Sequence, residues 1–120
     1  EAPLAVGVGR LGSGTAPVGS YPKGASAYGS LDMGGNVWES GADWYDKDAY
    51  DLEETPIDPT GPETGIYKVL RGGAYDSVSN FRRQLRTTHR EVGRPEGEEG
   101  RAAKGPNLGF RCAVDGERLP

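Results

Sequence analysis

A chain of 120 residues with 20 Gly, 9 Pro and only 20 Leu, Ile, Val and Phe together is one domain or part of one. So few large apolar side chains exclude a helical bundle, a coiled coil and a large self-sufficient core, and no apolar run approaches the roughly 20 residues that span a bilayer. Fourteen basic residues against 18 acidic ones, a net charge of −4, argue against nucleic acid as a general partner, which needs a basic face. The two signs are also too evenly matched for charge-driven disorder.

In chain order, Glu1 to Arg10 has neither the basic start nor the apolar stretch of a signal peptide. Residues 1–30 are rich in Gly, Ser, Ala and Pro and show no helical period. Thr15-Ala16-Pro17-Val18 and Tyr21-Pro22 read as extended segments between turns, because proline drives its predecessor out of the helical region. The next stretch, LDMGGNVWESGADWY (residues 31–45), holds both tryptophans and a Gly34-Gly35 turn. It predicts a strand or irregular core segment over Val37 to Tyr45, with Trp38 and Trp44 in the core. Residues 46–65 are acidic and proline-rich and read as a loop. Ile66 to Arg71 has the strongest strand pattern, ended by Gly72-Gly73. Ser77 to Arg83 predicts a short helix with Ser77 or Ser79 as cap. Gln84 to His89 predicts a strand, Gly93 to Asn107 a polar loop, and Leu108 to Val114 a final strand. The lone Cys112 cannot make an internal disulfide. It reads as a buried small hydrophobe, or as half of a disulfide to another segment.

A loop-rich chain without disulfides needs another agent to fix its loops, and a bound metal ion is the next candidate. Asp32 and Glu39 bracket Met33-Gly34-Gly35-Asn36-Val37-Trp38. A glycine-rich turn between two acids can aim backbone carbonyls and carboxylates at one point, the oxygen set that calcium takes. The same pattern also serves a solvated turn whose acids cap backbone amides.

Several pieces, in order, resemble the C-terminal half of the formylglycine-generating enzyme (sulfatase-modifying factor) family. They are Gly14-Thr15-Ala16-Pro17-Val18, Gly35-Asn36-Val37-Trp38-Glu39, Asp43-Trp44-Tyr45, Asp58-Pro59-Thr60-Gly61-Pro62, Arg71-Gly72-Gly73 and Asn107-Leu108-Gly109-Phe110-Arg111-Cys112-Ala113. The resemblance implies a loop-rich α+β fold of C-type-lectin-like type, with few short strands and little helix. Residues 1–120 would be the C-terminal part of one such domain, with the N-terminal part absent or in another chain. It also implies a structural calcium ion held by the Asp32 side chain, the Gly35 and Val37 carbonyls and the Glu39 carboxylate. The family's second calcium site is not carried over, because Gly9-Arg10-Leu11-Gly12 lacks its acidic ligand.

Formylglycine-generating enzymes oxidise a substrate cysteine with two cysteines that hold copper. Ser77 and Arg82 stand at those positions, and Ala74 replaces the serine expected before Tyr75. A serine hydroxyl is no substitute for a thiolate on soft Cu(I), and an arginine repels the ion. No copper is therefore expected. The resemblance implies a non-catalytic, calcium-stabilised scaffold or protein-binding module, partnered by its missing half or another protein chain, in an extracytoplasmic place. Two alternatives stay open. One is an iron-dependent sulfoxide synthase whose reacting residues lie outside this chain, since His89 alone cannot form an iron triad. The other is a ligand-binding variable protein. Tyr75, Ser77, Arg82, Arg86 and His89 mark a possible ligand or partner groove. The basic residues from Arg82 to Arg94 suit an anion or acidic-peptide contact, or pairing with the acidic loop Asp46–Glu54 or with Glu96–Glu99.

Overall fold

The computed structural model describes residues 14–51, 54–77, 81–94 and 105–114. Within them four short strands form: β1, Trp38–Trp44; β2, Lys68–Arg71; β3, Glu91–Gly93; and β4, Leu108–Gly109. The sheet order is β3-β2-β1-β4. β1 and β2 pair antiparallel, with Glu39 opposite Arg71 and Ser40 opposite Leu70. The register then slips before Trp44 meets Lys68. β3 joins β2 antiparallel through Val69 and Val92, and β4 runs parallel to β1 with Leu108 beside Trp38. The helical content of the described residues is a single turn, α1, Phe81–Gln84, plus a 3₁₀ turn at Pro22–Gly24 whose proline occupies the first position. The fold is thus α+β and loop-rich.

The sheet depends on two close approaches that glycine permits. A Cβ at Gly93 would stand 2.8 Å from Leu70 Cδ1, and one at Gly65 would stand 2.8 Å from Trp44 Cβ. Leu70 and Trp44 therefore lie directly across neighbouring backbone. The core itself is small. Among the described residues only Trp38, at 9% exposure, and Ala74, at 0%, are buried apolar side chains. Trp38 packs against His89, ring centroids 6.1 Å apart. Tyr28, Ile57, Val18 and Phe110 all face solvent.

With so little apolar burial, the turn over residues 32–37 ties the loops together through hydrogen bonds. Asn36 adopts a left-handed φ of 68°, a conformation asparagine tolerates better than most residues. Its side-chain amide pairs with the backbone of Ala16 in both directions, accepting at 2.9 Å and donating at 3.1 Å. Its own carbonyl accepts the Tyr75 N–H at 2.9 Å, and the neighbouring Gly35 N–H donates to the Gly72 carbonyl at 2.7 Å. Two separate loops, the one around Ala16 and the one that follows β2, therefore converge on two consecutive residues.

The structure departs from expectation in several places. The strand predicted over Gln84 to His89 is a pair of turns, with Arg86 N–H on the Arg83 carbonyl and His89 N–H on the Arg86 carbonyl. The edge strand starts later, at Glu91. The final strand stops at Gly109 rather than Val114, because Arg111 is drawn off the sheet edge toward Glu39 and the carbonyls of Leu31 and Asp32. Cys112 follows that departure and is exposed, not buried. Ser77 does not cap the helix; its hydroxyl accepts the Ala74 N–H at 3.0 Å. Ser79 lies outside the described residues. Trp44 is only half-buried, with the Lys68 ammonium 4.0 Å from its ring centroid.

Asn36→Ala should lower unfolding stability by about 2–3 kcal/mol, since it removes two hydrogen bonds and places a Cβ residue without local support at positive φ. Asn36→Gly, which keeps the backbone conformation, should lose less. Urea melts of both variants check the order.

Candidate functional site

Two regions concentrate polar chemistry. The first is the acidic turn. β1 presents Glu39 beside β4, and the chain leaving β4 brings Arg111 over it. The guanidinium makes a two-pronged contact, Nη2 to Oε1 at 2.6 Å and Nε to Oε2 at 2.8 Å. The same guanidinium donates to the Leu31 and Asp32 carbonyls at 3.0 Å each. Hydrogen bonding to Glu39 raises the Arg111 pKa above its ordinary value; burial opposes this, and the charges of Glu39 and Asp32 add to it. Asp32, itself at a positive φ of 56°, uses Oδ2 to accept the Gly19 N–H at 2.7 Å.

The four groups expected to hold calcium, Asp32, Gly35, Val37 and Glu39, thus lie in and beside one turn, and all offer hard oxygen donors of the type calcium takes. Arg111 already supplies positive charge at Glu39, so a cation there must share or contest that carboxylate. Among the described residues no group of three or more His, Cys, Asp or Glu side chains converges to hold a metal ion. Any metal in this turn would lean on backbone carbonyls.

The second region is a groove of about 1250 Å³ between the loop that follows β1 and the segment joining α1 to β3. Trp44, Tyr45 and Tyr50 line it together with Arg71, Arg86 and Arg90. Arg71 reaches in from β2. Its Nη2 donates to the Thr87 carbonyl, and Arg90 Nη1 donates to that same carbonyl at 3.1 Å. Two guanidiniums therefore crowd one oxygen. Burial, followed by repulsion from Arg90, pulls the Arg71 pKa below its ordinary value, with Tyr50 acting the other way. Arg90 also lies 5.9 Å from the Tyr50 ring centroid. His89 lines the groove as well, with its buried Nε2 lacking a hydrogen-bond partner and standing 3.6 Å from the Glu91 carboxylate.

Of the five residues marked in the sequence as a groove, the structure brings Arg86 and His89 together here. Tyr75 and Ser77 are not among its lining residues. Ser77 is buried at 7% exposure and turned onto the Ala74 amide. The Arg82 side chain lies outside the described residues. Arg71, Tyr50 and Tyr45 were not singled out beforehand. Arg71 was hidden inside a strand pattern, and the aromatic residues inside an acidic loop. Pairing of the arginines with the described part of the acidic loop does not occur. Asp46 accepts the Asp48 N–H, Asp48 pairs with Lys47 at 3.3 Å, and Tyr50 meets Arg90. Glu53 and Glu96–Glu99 lie outside the described residues.

Residues 9–116 match the sulfatase-modifying factor enzyme 1-like domain. The chain is 40% identical over 104 residues to a formylglycine-generating enzyme of Streptomyces coelicolor, covering 86% of this chain and 30% of that protein. It is 42% identical over 102 residues to a protein named serine/threonine-protein kinase pkn1 of Chlamydia caviae, covering 84% of this chain and 15% of that one. Among solved structures, Treponema denticola variable protein 1 superposes with a TM-score of 0.68 at 29% identity, over 89% of this chain and 34% of its own. The chain therefore spans less than a third of the length of these two sequence relatives.

Arg111→Gln and Glu39→Gln should each cost about 1–2 kcal/mol, below the upper range for charge-assisted bonds because the pair is partly exposed. The double variant should cost little more than the worse single one in a thermal-melt cycle. The raised Arg111 value means that its contribution is fully present below the ordinary arginine pKa and is lost only as pH rises through the raised one. Titration from neutral to mildly alkaline pH should therefore leave the Arg111 contribution intact.

Proposed function

The chain belongs to the sulfatase-modifying factor enzyme 1-like domain family, and within it we propose that it is a non-catalytic binding module rather than a cysteine oxidase. The observation that carries this reading is the fate of the thiols. The sequence holds one cysteine, and that residue is exposed beyond β4. Ser77, at the position of one copper cysteine by resemblance, is buried with its hydroxyl committed to a backbone amide. A soft ion held by two thiolates has no pair to bind. What the chain retains is the scaffold: the ladder of β1 and β2, the Asn36 clamp and the Arg111–Glu39 bridge.

The thin core supports a module completed by further protein. Two buried apolar side chains among the described residues are few for a domain that stands alone, and further protein against its exposed apolar surface would supply the missing burial. In this reading calcium adds to the acidic turn, held by Asp32, Gly35, Val37 and Glu39, where it would supply charge neutralisation and loop fixation and no redox chemistry. Calcium and family habit also support an extracytoplasmic place. No helix among the described residues is long and apolar enough to cross a membrane. The competing reading, an enzyme whose reacting groups lie outside these 120 residues, draws on the likeness to complete enzymes of the family.

The intact protein, loaded with copper and offered a cysteine peptide, should yield no formylglycine by mass spectrometry; an aldehyde product would overturn the proposal. Calcium should raise the melting temperature, a chelator should reverse the gain, and Glu39→Ala should abolish it. An unchanged melt in both conditions removes calcium from the reading.

A further inference from the structure

The groove beside β1 holds cationic charge that the described residues leave uncompensated. Arg71, Arg83, Arg86 and Arg90 all line it, yet the ion pairs among the described residues are Lys47–Asp48, His89–Glu91 and Arg111–Glu39. None of the four groove arginines meets a carboxylate among the described residues. Two of them share the Thr87 carbonyl as their acceptor, so like charges are held side by side with only a neutral dipole between them. Bringing guanidiniums together costs free energy unless an anion joins them. Burial first, and then the neighbouring Arg90 charge, lowers the Arg71 pKa.

The carboxylates present do not relieve it. Asp46 lines the groove but spends Oδ1 on the Asp48 amide, and Asp43 packs against Gly61, where a Cβ would stand 3.2 Å away.

The shape narrows the ligand. The groove, at about 1250 Å³, exceeds the roughly 300–1,000 Å³ usual for a small-molecule site. Its arginines come from three places along it: β2, the α1 turn and the approach to β3. Trp44, Tyr45, Tyr50 and prolines 56, 59 and 62 line it too, apolar and rigid groups suited to peptide backbone and aliphatic carbon. A lone inorganic anion would use one end and leave the rest unfilled. Spaced carboxylates on an extended chain would use all of it.

We propose that this groove binds an acidic peptide segment of a partner protein, with one carboxylate seated between Arg71 and Arg90 and others met by Arg83 and Arg86. Arginine suits the task because its planar fork takes a carboxylate through two parallel hydrogen bonds. The assignment rests on the binding-module reading and names the ligand class for it.

The test is a fluorescence titration of the intact protein with a Glu-rich peptide carrying one Tyr, with a Lys-rich peptide of the same length and with inorganic phosphate. The Glu-rich peptide should bind and the Lys-rich one should not, and added salt should weaken the complex. Arg90→Gln should reduce affinity about tenfold or more. The double variant R83Q/R86Q should do the same. Its side chains carry no described ion pair, and Arg83 and Arg86 are exposed, so folding is spared; near-UV circular dichroism checks this. Lys23→Gln, on the distant 3₁₀ turn, should leave affinity unchanged. Equal binding by wild type and the arginine variants overturns the site. Phosphate binding as tight as the peptide's overturns the peptide assignment in favour of a free-anion site. Failure of peptide binding with no formylglycine formed sinks the groove alone, whereas formylglycine production sinks the binding-module reading itself.

Discussion

The Arg111 guanidinium holds together parts of the chain that nothing apolar would hold. It reaches Glu39 on β1 and the carbonyls of Leu31 and Asp32 before it, across sequence separations of 72 to 80 residues. In a protein with a full core, a half-exposed ion pair contributes modestly, because water and salt screen it. Here the context differs. The same group satisfies two backbone carbonyls and a carboxylate at once, and only two apolar side chains among the described residues are buried. The register of β4 against β1 and the shape of the acidic turn both depend on where this one side chain points.

Around it, hydrogen bonds stand in for packing. Asn36 reads the backbone of Ala16 as another strand would, and its backbone and that of Gly35 catch Tyr75 and Gly72. Asn107 repeats the device at a second place. Its amide donates to both oxygens of Asp76 at 3.1 and 2.9 Å, while its carbonyl accepts the Trp38 N–H at 2.7 Å. Such contacts are directional, so they fix loops accurately, but each contributes only about a kcal/mol net. A fold built this way takes its shape from directional bonds more than from packing.

The two polar regions differ in a way that bears on function. At the acidic turn, opposite charges meet and are satisfied. In the groove, like charges meet and are not. The first arrangement is what a structural site looks like; the second is a site whose charges the described fold leaves unanswered. The groove also explains why the loop after β1 carries aromatics and prolines among its acids. Trp44 at the end of β1 and Tyr45 and Tyr50 after it line the groove, and Tyr50 stands by Arg90.

Much of the architecture was legible in the residues. The Trp-rich run became β1, the run before Gly72-Gly73 became β2, and the Gly and Pro content foretold a loop-rich fold with little helix. These signals are local: strand propensity, turn residues and composition act within a few positions. The family resemblance was legible for a different reason, because its short motifs recur in fixed order. The miscalled pieces were those decided at a distance. Gln84 to His89 has a strand-like pattern, but its amides find local carbonyls first, Arg86 on Arg83 and His89 on Arg86, so it closes into turns. Leu108 to Val114 has a strand pattern, but Arg111 is needed elsewhere, so β4 stops at Gly109 and Cys112 is left in solvent. Sequence alone determined that these 120 residues hold a single cysteine, since a count needs no fold. Only the tertiary structure decided which arginines stand together without a carboxylate among the described residues and which one is answered by Glu39, because charge pairing is set by distances between residues that lie far apart along the chain.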